Sequence, residues 1–140
     1  MGLDSIWALR PEHEREVEAE HPVFDPPLRL CGGLCSNYGH MSFRGGYYSW
    51  FIEDVSGVSL YQTRVPNEDI RRIAEALERY TPTPEDLEAF TQEELNDLKR
   101  MFRAYADAGA WLARYIVIPA TLSRAWRRAF ISAWTLRQAS

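Results

Sequence analysis

A chain of 140 residues is the size of one domain, and its 46% hydrophobic residues exclude a disordered chain. The 20 acidic residues exceed the 16 Lys and Arg residues, which argues against a general nucleic-acid binder because phosphate contacts require an excess of basic side chains. The sequence therefore predicts one globular domain of the α+β class, mostly helical, with a small two- or three-stranded sheet and a glycine-rich loop.

The charged residues are distributed unevenly along the chain. Residues 1–30 form an acidic N-terminal segment, and no acidic residue follows Asp107. The stretch after Asp107 carries only basic charges, at Arg114, Arg124, Arg127, Arg128 and Arg137. The two ends of the chain therefore either attract each other or face different partners.

The sequence predicts neither a secretory signal nor a membrane span. The opening residues lack a basic stretch followed by a long apolar run, and Arg114 interrupts the most apolar segment well short of the roughly 20 residues that a membrane span needs. We expect a cytoplasmic protein without a transmembrane segment, whose two cysteines are free thiols.

The first half of the chain predicts short strands around one helix. Residues Gly2–Leu9 are a candidate strand, and the glycines between Cys31 and Gly46 predict a loop. From Tyr47 to Ser56 apolar residues recur at helical spacing, which favours an aromatic helix that ends at Gly57 over the alternative, a β-hairpin that turns at Ser56 and Gly57. The next segment, Val58–Tyr61, alternates and predicts a strand that pairs with the first one.

The second half predicts helices over residues 67–118. Asn67 is a good N-cap for the first of them, and Thr83 followed by Pro84 opens a short helical turn that ends at Phe90. Thr91 with Glu94 forms a capping box for a third helix, which is expected to run to Ile118. A basic aromatic C-terminal helix is predicted over residues 120–137, with an apolar face at Trp126, Phe130 and Trp134.

Several short motifs match one group of proteins. They are Met1-Gly2-Leu3-Asp4, Asn37-Tyr38-Gly39, Ser42-Phe43-Arg44-Gly45 and Val58-Ser59-Leu60-Tyr61-Gln62. With these islands the first half of the chain resembles small uncharacterised phage and prophage proteins that begin Met-Gly-Leu-Asp. The resemblance carries no catalytic residue. It implies an accessory phage function in the host cytoplasm, including inhibition of host defence.

The glycine-rich stretch and the helix that follows it suggest a site for a small anionic ligand such as a nucleotide. Glycines expose backbone N–H groups, the start of a helix carries partial positive charge, and an arginine can bind a phosphate through two hydrogen bonds. Tyrosine and tryptophan rings can stack on a base. The candidate ligand-binding residues are Tyr38, His40, Arg44, Gly45, Gly46, Tyr47 and Trp50. The motif is neither a P-loop nor a dinucleotide fingerprint.

The same stretch holds residues that suit a metal or a reactive thiol. Cysteine and histidine side chains bind tetrahedral zinc, and Cys31, Cys35, His40 and His21 are the weak candidates. Three residues separate the two cysteines, a wider spacing than usual, and a second matched pair is missing from the sequence. We therefore expect no cofactor and name no catalytic residue, with zinc or thiol chemistry as the alternative.

These observations rank three functions. The first is a phage-derived protein that sequesters a small anionic ligand to counter host defence. The second is an inhibitor or adaptor that binds a host protein through the acidic N-terminal segment or the basic aromatic C-terminal helix, which is also a candidate homodimer contact. The third is a Cys/His zinc protein or thiol enzyme. The sequence favours binding over turnover.

Overall fold

The structure, a computed structural model, describes residues 5–11, 14, 17–30, 35–37 and 40–114. Within them the chain forms a five-stranded sheet whose neighbouring strands all run antiparallel. The strands are β1 (Ser5–Ala8), β2 (Cys35–Asn37), β3 (His40–Phe43), β4 (Arg64–Val65) and β5 (Trp111–Arg114), and their order across the sheet is β2-β3-β1-β5-β4. The predicted α+β class is confirmed, and the sheet is larger than the two or three strands expected.

One additional pair of strands comes from the stretch predicted as a glycine-rich loop. The hairpin β2–β3 places Cys35 opposite Ser42 and Asn37 opposite His40, and β3 then pairs with β1. The loop prediction was wrong for residues 35–37 and 40–43. The glycines of this stretch lie outside the two strands, and polar and apolar residues alternate along β3, as is typical of a strand. The predicted strand at the start of the chain is confirmed as β1.

Helix α1 (Gly45–Ser56) confirms the helical interpretation of the aromatic stretch and excludes the hairpin. Gly57 ends it in the left-handed conformation with φ of 78°, and its N–H donates to the carbonyl of Glu53 at 2.8 Å. This is the helix end that the sequence predicted at Gly57.

The predicted strand Val58–Tyr61 does not form. Val58 and Leu60 are both buried, as their alternation suggested. However, the hydroxyl of Ser56 accepts from the N–H of Val58, and that of Ser59 accepts from the N–H of Tyr61, so side chains occupy the backbone groups that a strand would use. The strand that does pair in this region is β4, and its partner is β5 rather than β1.

Helix α2 (Asn67–Arg79) forms as predicted, but Asn67 is not its N-cap. Pro66 occupies that position, and Asn67 is the first helical residue. The side-chain amide of Asn67 donates to the carbonyls of Ala106 at 3.3 Å and Ala110 at 2.8 Å. It therefore links the start of α2 to the end of another helix.

Two capping boxes define helices α3 (Pro84–Ala89) and α4 (Gln92–Asp107). Thr83 caps α3 together with Asp86, and Thr91 caps α4 together with Glu94, so both predicted helix starts are confirmed. In each box the threonine hydroxyl accepts from a backbone N–H, and the acid accepts from the N–H of the threonine.

Helix α4 does not continue to Ile118. It ends at Asp107, and Gly109 adopts a left-handed conformation with φ of 75° that turns the chain back toward the sheet. Trp111–Arg114 then forms strand β5, which lies between β1 and β4 in the sheet. The predicted C-terminal helix over residues 120–137 lies outside the described residues.

One hydrophobic core lies between the sheet and the helices. Trp7 of β1 and Leu112 of β5 are directly opposite and belong to this core, together with residues of all three long helices. Trp7 stacks on Tyr105 of α4 with ring centroids 4.2 Å apart. The opposite face of the sheet carries a smaller buried cluster of Ala8, Trp111 and Ala113. The helices therefore pack against one face of the sheet. The side of α1 that points away from the core is exposed to solvent.

Candidate binding surface on helix α1

Helix α1 begins without a side-chain cap. Its N-cap is Arg44, whose side chain cannot accept a hydrogen bond, and the first turn contains no acidic residue. Arg44 is exposed. The positive end of the helix dipole is therefore not neutralised by any acid in the helix's own first turn.

Gly45 and Gly46 open the helix, and the first of them lies in a tightly packed position. A Cβ atom at Gly45 would lie 3.0 Å from the Oγ atom of Ser5 and 3.4 Å from a methyl group of Leu60. Gly45 is buried, whereas Gly46 is only partly buried. The close approach that the sequence suggested at Gly45 is thus made by β1 and the loop after α1.

Tyr47 and Trp50 remain substantially exposed although they belong to an aromatic cluster. Their exposed fractions are 46% and 54%. Trp50 stacks on Phe90 with ring centroids 5.4 Å apart and planes 24° apart, and the edge of Tyr47 meets the same ring at 5.7 Å. Because Phe90 supports one face of the Trp50 ring, the ring is held in place while much of its surface faces solvent.

Phe90 is the centre of this cluster. Four rings of α1 surround it, those of Tyr47, Tyr48, Trp50 and Phe51, and it is 3% exposed. Leu87, one helical turn earlier in α3, is 44% exposed. We call the exposed side chains of Tyr47 and Trp50, which contact the Phe90 ring, together with Leu87, three residues before Phe90 in the chain, the aromatic surface.

Hydrogen bonds fix the position of α3 and of Phe90. The Tyr80 hydroxyl donates to Asp86 at 2.5 Å, and the backbone N–H of Thr83 donates to the same carboxylate at 2.9 Å. These bonds, that from Tyr80 first, hold the pKa of Asp86 below its usual value, and the same contact raises the pKa of Tyr80. On the other side of the cluster, the Tyr48 hydroxyl donates to Glu94 at 3.0 Å.

Acidic residues border the aromatic surface. Glu53 and Asp54 follow Trp50 by three and four residues on α1, which places their Cβ atoms about 5–6 Å from that of Trp50. Glu85 and Glu88 flank Leu87 on α3. All four carboxylates are exposed, and within the described part of the chain none of them takes part in a salt bridge.

The structure describes only some of the remaining predicted site residues. Tyr38 and Cys31 lie outside the described residues, and for Cys35 and His40 the backbone strands are described but the side chains are not. His21 is buried, and its Nδ1 atom lies 3.0 Å from the Tyr105 hydroxyl. No group of three or more His, Cys, Asp or Glu side chains suited to a metal ion occurs among the described residues. The zinc hypothesis stays a prediction.

One cavity lies apart from the aromatic surface, because none of its lining residues belongs to that surface. It has a volume of about 410 Å³ and is lined by mainly apolar residues of the segment before β2, including His21, Phe24 and Leu28, and by Met41 of β3. Arg44, Gly45, Gly46, Tyr47 and Trp50 do not line it. The described ligand-binding candidates therefore lie on α1 or at its uncapped start, not at this cavity.

Sequence reasoning missed Phe90 and Leu87. A signal for Phe90 was present, because an apolar residue directly before a capping threonine often packs against the fourth residue of the helix as a hydrophobic staple. Phe90 and Leu95 occupy these two positions around Thr91 and Glu94, and both are buried in the same core. The exposure of Leu87 had no comparable signal.

Comparison with known proteins gives no relative from which a function could be transferred. No protein-family model, no curated protein and no solved structure matches the chain.

Across the residues that the structure describes, no helix combines the length and apolar character that crossing a bilayer requires.

Proposed function

We propose that this protein acts by binding another protein, and that the aromatic surface of Tyr47, Trp50 and Leu87 is the contact. The observation that carries this proposal is the exposure of Trp50, at 54%, on a ring that Phe90 supports from beneath. Tryptophan and tyrosine are the residues most enriched at the energetic centres of protein interfaces. A ring already held in place loses little conformational freedom when a partner covers it.

The size of the surface agrees with this role. A tyrosine or tryptophan presents about 150–250 Å², so Tyr47 and Trp50, each about half exposed, leave on the order of 100 Å² apiece in solvent. With Leu87 the surface approaches the few hundred Å² of the largest apolar patch on a typical monomer, which is often functional. The resemblance to phage proteins supports an inhibitor or adaptor that binds a host protein to counter host defence.

The test is capture of a partner from host cells by the tagged protein. The double variant Trp50→Ala with Tyr47→Ala should lose the protein that the wild type retains. Tyr61→Ala is the matched control, because Tyr61 is exposed to a similar extent, 49%, outside this surface. If the double variant folds and still retains the same partner, the aromatic surface is not the contact.

A second candidate function is the sequestration of a small anionic ligand at the start of α1. The observation that favours it is the uncapped helix end beside the exposed Arg44. The helix dipole attracts an anion there, and the guanidinium adds a charge-assisted hydrogen bond. Titration calorimetry with nucleotides tests it. Arg44→Ala should weaken binding about tenfold, whereas Arg72→Ala, an exposed arginine on α2, should not.

A further inference from the structure

The charges around the aromatic surface indicate the chemistry of its partner. The stretch from Pro84 to Glu94 contains five acidic residues and no basic one, and α1 itself, Gly45–Ser56, contains two acids and no base. A surface whose aromatic centre is bordered by carboxylates attracts cationic side chains and repels anionic ones.

Four exposed acids of α1 and α3 are available to a partner. Within the described residues Glu53, Asp54, Glu85 and Glu88 have no salt bridge, in contrast to Glu78 and Glu93, which bind Arg103 and Arg29. Their charges are therefore uncompensated by a bound cation of the described chain. A partner that supplies cations would form ion pairs without breaking existing ones.

Trp50 adds a specific position for one cation. One face of its ring lies on Phe90, and the indole leaves more than half of the residue in solvent. A guanidinium or ammonium group over the free face would interact with the ring and would lie one helical turn from the carboxylates of Glu53 and Asp54. The described chain places no cation over this ring, although it places Arg64 4.3 Å from the ring of Trp111.

The geometry points to a cationic, partly apolar segment of a partner protein as the occupant of the aromatic surface, with an arginine or lysine over Trp50 and the acidic residues around it. This inference rests on the proposed function and specifies the class of partner. The apolar side chains of the segment would cover Tyr47 and Leu87. Its basic side chains would face Glu53, Asp54, Glu85 and Glu88.

The experiment measures binding of two labelled synthetic peptides to the full chain by fluorescence anisotropy. One is a short amphipathic peptide with arginines on one side and leucines and phenylalanines on the other. The second carries glutamate in place of every arginine. We expect the arginine peptide to bind and Trp50→Ala to weaken it about tenfold. The pair Glu53→Gln with Asp54→Asn should also weaken it about tenfold at low salt, and less at about 0.5 M salt.

A matched charge control separates a local effect from one of net charge. Glu68→Gln with Glu75→Gln removes the same number of charges from α2, where both acids are exposed. This control should leave the affinity for the arginine peptide nearly unchanged. If both pairs weaken binding equally, the attraction comes from the net charge of the protein and the inference is wrong.

Other outcomes separate this inference from the proposed function. If the glutamate peptide binds as tightly as the arginine peptide and both require Trp50, the aromatic surface remains a contact but its partner is not cationic. If neither peptide depends on Trp50, the proposed contact fails as well. Self-association of the wild type that Trp50→Ala abolishes would assign the surface to a second copy of the chain and would overturn the inference.

Discussion

Truncation of Phe90 tests whether the aromatic surface rests on a buried support. Phe90 is 3% exposed and meets four rings at centroid distances of 5.4 to 5.7 Å. Replacing a buried phenylalanine by alanine costs about 3–5 kcal/mol through lost burial and the cavity that remains. We expect Phe90→Ala to lower the free energy of unfolding by that amount, a large part of the 5–15 kcal/mol typical of a domain.

The assay is urea denaturation monitored by circular dichroism. With a denaturant dependence of about 1–3 kcal/mol per molar urea, the midpoint should fall by about 2 M. Phe90→Leu, which retains most of the apolar volume, provides a milder change if the alanine variant does not fold. Trp50→Ala is the comparison, because an exposed ring that contributes mainly aromatic contacts should cost only about 1 kcal/mol. Equal costs for Phe90→Ala and Trp50→Ala would refute the distinction between support and displayed surface.

The other predictions concern the segments that place this surface. Because hydrogen bonds from Tyr80 and then Thr83 lower the pKa of Asp86, its carboxylate contributes stability that is fully present above the unfolded-state pKa of about 3.9 and is lost as the pH falls through the lower folded-state pKa. Asp86→Asn should therefore cost about 1–2 kcal/mol at pH 7, and urea titrations should show that its disadvantage shrinks below about pH 4. An unchanged disadvantage at low pH would contradict this reasoning. Gly109→Ala should cost about 1–2 kcal/mol from its φ of 75° alone, since no atom lies within 4 Å of the added Cβ. Gly45→Ala should cost more, because its Cβ would press on the Oγ atom of Ser5 at 3.0 Å, and thermal unfolding of the two variants compares them. A smaller loss for Gly45→Ala than for Gly109→Ala would show that Ser5 and its neighbours yield without cost.

The elements that the sequence predicted well are those with a local physical signal. The capping threonines Thr83 and Thr91 and the left-handed glycine after α1 depend on residues within a few positions of one another. The aromatic helix was predicted because its apolar residues recur at helical spacing. Local hydrogen bonding and periodicity are therefore sufficient to place the starts of α3 and α4 and the end of α1.

The elements that were missed depend on partners far away in the sequence. Strand β5 pairs with β1, more than a hundred residues earlier, so the helical pattern before it gave no reason to end α4 at Asp107. The position of Asn67 likewise reflects carbonyls of α4 rather than its own helix. Tertiary contacts of this kind override local propensity.

The candidate site was predicted only in part, for a related reason. The sequence identified Tyr47 and Trp50 as aromatic residues of the helix, and Trp50 lies off its apolar stripe as expected for an exposed residue. It could not show that Phe90, forty residues later, supports the Trp50 ring. That relation arises when Phe90, directly after α3, packs against α1.

The measurement that tests the proposed contact most directly is site-specific photo-crosslinking in host cells. A benzophenone amino acid is placed at position 87, on the aromatic surface, and in a separate protein at position 61, which is exposed elsewhere. The account predicts that the position-87 protein forms a covalent complex with one partner, and that Trp50→Ala in the same chain removes this complex. Crosslinking of the same partner from position 61 but not from position 87 would contradict the account.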